Sequence, residues 1–309
     1  MGPAGASPRR SGGGAAEGRG AGPSSPARLT LRRLSRPSPA NKRSSMLPLT
    51  LRRDPGAFAT GGAIGTLGGL IGLGGAEFRL PVLIALFGFP ALEAVILNKA
   101  MSLIVVATAL PFRAGTVPFA DLAAHWPVIL NLLAGSLAGA WFGAGCATRL
   151  RTATLYRVIA GLMVAIAVIL VAGHGVTSGA PLLQGWGQVA AGVLAGLAIG
   201  LVASLMGVAG GELLIPTLVI LFGADIKLAG SLSLAVSLPT MLVGFARYSR
   251  DQSFATLARN RRFVLVMAAG SAVGTFVGGL LLGIVPEAVL LPGLAAILLI
   301  SAWKVWRHA

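Results

Sequence analysis

Two glutamates stand out because each follows a cluster of glycines within a strongly apolar stretch. These residues are Glu77 and Glu212. A carboxylate is costly to place in an apolar helix inside a membrane, so each glutamate is a candidate functional group that needs a partner. Arg79 could partner Glu77, and Lys227 could partner Glu212. Two interpretations stay open for both glutamates: coupling to protons or ions, or capping of free N–H groups at a helix start.

The glycine clusters themselves predict an anion site. Each glycine costs a helix interior about 1 kcal/mol relative to alanine, so three or four together predict that the helix opens. The second half-helix then begins with free N–H groups and the positive end of its dipole, an arrangement that binds anions. The candidates in the two clusters are Gly72, Gly74, Gly75, Gly207, Gly210 and Gly211.

Polar side chains in the segments that follow could complete the site. A lysine could attract an anion, or could extend toward a membrane interface. Serine hydroxyls could donate to oxyanion oxygens, although serine often bonds its own helix backbone. These further substrate-binding candidates are Asn98, Lys99, Ser102, Ser233 and Ser237. No metal site and no cofactor is expected, because one cysteine and three scattered histidines supply no ligand cluster.

The composition indicates which elements must hold these residues. Of 309 residues, 55% are hydrophobic and only 11% are charged, whereas about a quarter of the residues in a soluble domain are charged. The apolar stretches are long enough to cross a bilayer as helices, and the alternating pattern of membrane strands is absent. We predict an all-α polytopic membrane protein with interrupted segments at 57–88 and 188–223 and further segments at 91–111, 126–147, 154–172, 228–246, 263–283 and 288–303.

The chain contains an internal duplication. Residues 61–88 align with residues 196–223 at a constant offset of 135, and 13 of the 28 positions are identical. Duplicated halves with interrupted helices at matching positions are typical of secondary transporters. We predict two homologous repeats of four apolar segments, the first segment of each broken at its glycine cluster. The repeats span 56–175 and 188–305, with a linker at 176–187.

Glycines also recur at every fourth position in the third segment of each half. This spacing is typical of membrane helices that pack closely against a neighbour. We interpret these glycines as packing residues: Gly135, Gly139, Gly143, Gly270, Gly274 and Gly278.

The orientation of the two halves depends on how the interrupted segments run. If each one crosses the membrane, the halves are parallel. If each one dips in and returns, every half has three crossings and the second half is inverted. The inverted arrangement collects the basic loops in the cytoplasm, with only Arg113 outside, so the distribution of positive charge favours it.

The first 55 residues differ from the rest of the chain. They carry eleven Arg or Lys and two acids, which is +9 of the total net charge of +16. Such a basic tail cannot bury enough surface to fold, so residues 1–55 are predicted to be a disordered cytoplasmic extension or to precede a true start at Met46. A transit peptide is an alternative. No nucleic-acid partner is expected, because no aromatic residue precedes Phe58.

Taken together, these motifs resemble the TauE/SafE sulfite exporter family over about residues 57–305. The residues that carry the resemblance are 71–76, Pro81, Asn98, Ser102, 113–115, 207–211 and Pro216. The resemblance implies a multi-pass secondary carrier of the inner (cytoplasmic) membrane for sulfite, sulfoacetate or other organosulfur anions. The chain departs from the usual pattern at Ala76 and Ala209, where glycine is common, and at Glu77 and Glu212, where apolar residues are common.

The expected function is therefore secondary transport of a small organosulfur or carboxylate anion by alternating access between the repeats. The expected partners are the anion and the lipid bilayer, with proton or ion coupling and the oligomeric state left open. An anion channel or a membrane subunit of a larger complex is the alternative. An enzyme is not expected, because the sequence has no Gly-x-Ser-x-Gly and no His-Glu-x-x-His motif.

Overall fold

Long apolar segments must form helices in lipid, because only a helix or a closed barrel satisfies every backbone polar group there. The computed structural model describes residues 54–70, 75–114, 119–172, 180–281 and 287–308, and every regular element in these ranges is helical. The all-α prediction is confirmed for this part of the chain. Residues 1–53 of the predicted tail, Gly72 and Gly74 of the first glycine cluster, and residues 173–179, which include the start of the predicted linker, lie outside the described residues.

The helices follow the predicted apolar segments closely. The predicted interruption at the second glycine cluster is confirmed, because helix ends at Met206 and begins again at Gly211. At the first cluster the described helices end at Gly69 and begin again at Ala76. In chain order the α-helices are α1 (Asp54–Gly69), α2 (Ala76–Ala85), α3 (Ala91–Ala114), α4 (Phe119–Ala124), α5 (Trp126–Ala147), α6 (Thr152–Ala172), α7 (Gly185–Met206), α8 (Gly211–Phe222), α9 (Ile226–Tyr248), α10 (Ala255–Arg259), α11 (Arg261–Leu280) and α12 (Glu287–Trp306).

Among the described residues, six helices are long and apolar enough to cross a membrane: α3, α5, α6, α7, α9 and α11. Helix α8 and residues 292–306 of α12 are shorter apolar helices. Large apolar side chains such as Phe142, Leu194 and Trp186 are exposed on the outer surface, where lipid can cover them. The chain is a multi-pass membrane protein.

Each interrupted segment forms a hairpin that returns to the end of the bundle where it began. In the first hairpin (α1 and α2), Asp54 forms an ion pair with Arg262, and Phe87, just after α2, packs edge-to-face on the neighbouring Phe263 at 4.9 Å. In the second hairpin (α7 and α8), the Gln188 side-chain amide donates to the Leu221 carbonyl at 2.9 Å. Neither hairpin therefore carries the chain across to the other end.

Two pairs of helices pack backbone against backbone along glycine seams. A Cβ atom added to a glycine on either side of these seams would overlap a carbonyl oxygen or backbone atom of the facing helix. The packing interpretation of the glycine ladders is therefore confirmed. The seam of α1 and α11 uses Gly61, Gly65, Gly69, Gly270, Gly274 and Gly278, and the seam of α5 and α7 uses Gly135, Gly139, Gly143, Gly196 and Gly200.

The helices of each seam run in the same direction. Along α1, Gly61 faces Met267 and Gly69 faces Thr275, so both helices advance together. Along α5, Gly135 faces Val193 and Gly143 faces Leu201 of α7. Since α5 and α6 are joined by a short turn, α7 begins at the end of the bundle opposite to the start of α6.

Basic residues collect at one end of the bundle, which we call the basic end. Here the Arg247 and Arg250 guanidinium groups lie over the Trp141 ring, at 5.6 and 4.9 Å from its centroid. Arg259 forms an ion pair with Glu93, at the start of α3. Helix α3 therefore leaves the basic end as α9 arrives there, and the first three turns of α3 are almost fully buried in the core.

Candidate functional site

One buried side chain on α3 joins the two glycine breaks. The Asn98 side-chain amide donates to the Ala76 carbonyl, at the start of α2, at 3.0 Å and to the Met206 carbonyl, at the end of α7, at 3.2 Å. Asn98 is completely buried. A single residue thus holds the start of α2 beside the end of α7. This proximity is what a common polar site between the two breaks would need.

The next residue, Lys99, turns to the same break in the second hairpin. Its Nζ atom donates to the Ala203 carbonyl at 3.1 Å and to the Val208 carbonyl at 3.4 Å. Lys99 is completely buried, so it does not extend to a membrane interface. Its head group lies at the carbonyl end of α7, where a helix carries partial negative charge, and not at the N-terminal end of a half-helix.

Two hydroxyl groups complete the capping of this helix end. Ser102 donates to the Gly207 carbonyl at 3.4 Å, and Tyr248 from α9 donates to the Ser204 carbonyl at 2.8 Å. The carbonyl groups in the last turn of a helix have no partner within the helix. Side chains of α3 and α9 supply those partners here, so other parts of the protein hold the break in place.

The backbone of the second break needs glycine at two positions. Gly207 has φ +70° and Gly210 has φ +84°, which lie in the left-handed region that favours glycine. The Val208 N–H donates back to the Ala203 carbonyl at 3.0 Å, which closes the end of α7. In the first break, Gly75 also has a left-handed backbone, with φ +70°.

Both predicted glutamates lie in the first turn of a half-helix, Glu77 in α2 and Glu212 in α8. Both are buried, and their carboxylate oxygens have no hydrogen-bond partner among the described residues. Arg79 is buried in the same turn as Glu77 and interacts with it electrostatically. The expectation that Lys227 partners Glu212 is wrong, because Lys227 is exposed at the start of α9 and no ion pair between them occurs in the described part of the chain.

The remaining candidates lie elsewhere on the second half. Ser233 and Ser237 are buried on α9, and Ser233 donates to the Gly230 carbonyl of its own helix at 2.8 Å. Among the described residues, no hydrogen bond joins either serine to the cluster around Lys99. Gly211 is the first residue of α8, directly after the left-handed Gly210. The structure therefore brings together Asn98, Lys99, Ser102 and Gly207, with Gly210 and Gly211 beside them along the chain.

Comparison with known proteins identifies the family. The sequence profile described as "Sulfite exporter TauE/SafE" matches residues 27–170 and 191–309, which is most of the chain. The chain belongs to the TauE/SafE sulfite exporter family. Membership of this transporter family indicates a membrane exporter of sulfite or a related anion. No curated protein and no solved structure matches the chain.

Three residues of this TauE/SafE site were not selected from the sequence: Ser204, Gly244 and Tyr248. Ser204 is completely buried, and its hydroxyl oxygen has no hydrogen-bond partner among the described residues. A Cβ atom on Gly244 would lie 2.8 Å from this oxygen and 3.2 Å from Lys99 Cε, so glycine leaves room for both groups. The position of Ser204, three residues before Gly207, was an available signal, whereas Gly244 and Tyr248 gave none.

In this TauE/SafE chain, two hydrogen-bond donors, the Ser204 hydroxyl and the Lys99 head group, lie inside an apolar bundle. Buried polar groups without partners are costly, so their presence needs an explanation. The Ser204 hydroxyl can donate, and the Lys99 head group lies against the same glycine. Both residues are completely buried, so neither group contacts the surface in this arrangement.

Proposed function

We propose that the chain moves a small sulfur-containing or carboxylate anion, such as sulfite or sulfoacetate, across the cytoplasmic membrane by alternating access between two repeats. The observation that carries this proposal is the Asn98 amide, which contacts both glycine breaks at once. Interrupted helices that face a common polar site near the middle of the bundle are typical of secondary carriers. The family assignment supports an anion as the cargo.

The packing supports an inverted pair of repeats. Each seam joins the first helix of one half to the third segment of the other half, α1 with α11 and α7 with α5. The facing residues correspond at the same offset as the sequence duplication: Gly270 faces Phe58, and Gly135 faces Val193. The first hairpin opens toward the basic end, and the second hairpin opens toward the opposite end.

Positive charge supports a cytoplasmic location of the basic end. Arg247, Arg250, Arg259 and Arg262 all lie there, and cytoplasmic loops of membrane proteins are rich in arginine and lysine. This orientation places the start of α1 inside the cell. Export would then begin at the basic end, beside the start of α3.

The proposal predicts that anion efflux depends on glycine in the breaks. Leucine is strained at a left-handed position and would displace the half-helix behind it, so Gly75→Leu and Gly210→Leu are expected to abolish sulfite efflux from loaded proteoliposomes. Gly185→Leu is the matched control, because Gly185 has φ +60° with no atom close to its Cβ position. Unchanged efflux in both break variants, with the proteins folded in the membrane, would contradict the proposal.

A countertransport assay distinguishes a carrier from the alternative of an anion channel. A carrier takes up labelled anion faster when unlabelled anion is present on the other side of the membrane, because a carrier with anion bound reorients faster than an empty one. A channel gives no such stimulation. We expect unlabelled sulfite inside the vesicles to stimulate uptake of labelled sulfite, and its failure to do so would favour the channel. Copurification of a stable soluble partner would favour the subunit alternative.

A further inference from the structure

The head group of Lys99 lies in an environment that suits a neutral amine. Lys99 is completely buried and donates to two acceptors, the carbonyls of Ala203 and Val208. No ion pair to Lys99 occurs among the described residues. A neutral amine has two N–H groups, and both find an acceptor here. An ammonium group has three, but Nζ makes only two hydrogen bonds in the described part of the chain.

The relative size of two effects favours the neutral form in this closed arrangement. The carbonyl end of α7 stabilises a nearby cation only modestly. Burying an ion without a counter-ion costs considerably more than this, even after the protein relaxes. The cost is larger than the gain, so an uncompensated ammonium is unfavourable at Lys99 until a negative charge arrives beside it.

The charged and titratable groups on the elements around Lys99 do not supply that negative charge. Helix α9 brings Tyr248, whose hydroxyl donates to a backbone carbonyl. On α3 itself, Glu93 is paired with Arg259 at the basic end. Glu77 of α2 lies one residue from the Ala76 carbonyl that Asn98 contacts, in the same turn as the cationic Arg79. Helices α6, α7 and α11 carry no acidic side chain. Glu212, in the first turn of α8, makes no ion pair with Lys99 among the described residues.

The head groups of Lys99 and Ser204 both lie beside Gly244. Gly244 faces both Lys99 and Ser204, and the Cβ position of Gly244 lies 3.4 Å from Lys99 Nζ. The buried Ser204 hydroxyl has no hydrogen-bond partner among the described residues, so its O–H is an unused donor beside the same glycine. An anion there would receive one hydrogen bond from Ser204 and one from the third hydrogen of a lysine ammonium.

We propose that Lys99 binds a proton together with the transported anion, so that both cross the membrane together; this inference rests on the proposed transport function. Water on the side of entry gives the proton to the Lys99 amine, which gains its third N–H bond and a positive charge. The ammonium and the anion compensate each other in the closed site. When the site opens on the other side, the anion leaves and the ammonium returns its proton to water there. Anion affinity therefore falls as pH rises.

The test uses labelled sulfoacetate and sulfite in proteoliposomes of the full chain. In the wild type, we expect anion exchange at equal pH on both sides, accumulation when the outside is more acidic, and acidification of the lumen during net uptake. Lys99→Met is expected to weaken anion binding and to reduce accumulation about tenfold or more, which corresponds to at least about 1.4 kcal/mol. Lys99→Arg keeps the positive charge permanently, so it is expected to retain exchange and lose accumulation driven by pH.

Lys227→Met is the matched control, because Lys227 is exposed and should leave every measurement unchanged. Net uptake of the anion by the wild type without acidification of the lumen would overturn the inference and leave the proposed function standing. Accumulation driven by pH that persists in Lys99→Met would do the same. The absence of any wild-type exchange with both anions would instead overturn the proposed function, and the inference with it.

Discussion

The contact between the second glycine break and α3 can be tested with a single added methyl group. Gly207 has φ +70°, and a Cβ atom there would overlap the Val95 carbonyl oxygen and lie 3.2 Å from the Lys99 backbone nitrogen. Gly88 has the same φ of +70° but no atom within 4 Å of its Cβ position. Gly207→Ala and Gly88→Ala therefore carry the same backbone strain, and only Gly207→Ala pushes the break away from α3.

The expected difference in stability follows from this comparison. Alanine in the left-handed region costs about 1–2 kcal/mol in both variants. Overpacking against backbone costs a further 1–3 kcal/mol or so, at Gly207 only. At about 2–4 °C per kcal/mol, the melting midpoint of Gly207→Ala should lie several degrees below that of Gly88→Ala. Displacement of the break would also lengthen the hydrogen bonds from Lys99 and Ser102, so anion exchange should be largely lost.

The assay measures both variants in parallel, as thermal unfolding in detergent and as sulfite exchange in proteoliposomes normalised to inserted protein. We expect Gly88→Ala to retain most of its exchange and Gly207→Ala to retain little. Equal melting midpoints together with equal exchange rates would refute the reasoning, because the contact with Val95 would then have no energetic or functional consequence.

Two further predictions concern the packing around the site. Gly139→Ala places a methyl group on the Leu197 carbonyl across the seam and should lower the melting midpoint. Gly161→Ala is the control, because its Cβ position has open space, and it should leave the melting midpoint unchanged or raise it slightly. A fall of the same size in both variants would contradict the close packing of the seam. Asn98→Leu removes both hydrogen bonds that join the two breaks. It should lower the free energy of unfolding by about 1–3 kcal/mol for each carbonyl left unsatisfied, and sulfite exchange should be lost. Exchange at the wild-type rate in this variant would show that the two hydrogen bonds are not needed for transport.

The sequence was sufficient to predict the helices and the places where they break. Apolar length determines where a helix can cross lipid, and consecutive glycines destabilise a helix wherever they occur, so both signals are local. The path of the interrupted segments was less certain. Helix α2 has 10 residues, about 15 Å, which is half of a hydrocarbon core; this length favoured a return, and contacts with α11 were needed to establish it.

The partners of the site residues could not be predicted because they come from distant parts of the chain. Lys99 bonds Ala203, which is 104 residues later, and Tyr248 reaches the same helix end from α9. Nothing in the local sequence around Lys99 indicates that it meets carbonyl groups and not an acid. The Lys227 side chain, which was a possible partner of Glu212, is exposed instead. Lys227 occupies the first turn of α9, where Asp225 accepts its backbone N–H.

The seam between α1 and α11 affects the order in which the molecule can assemble during synthesis. Helix α1 ends at Gly69 and α11 begins at Arg261, which is 192 residues later. At about 5–20 residues per second, the ribosome needs roughly 10–40 s to deliver the second helix after the first. Throughout that interval the glycine face of α1 has no matching surface. Lipid or the insertion machinery must therefore cover the glycine face of α1 until nearly the whole protein has been made.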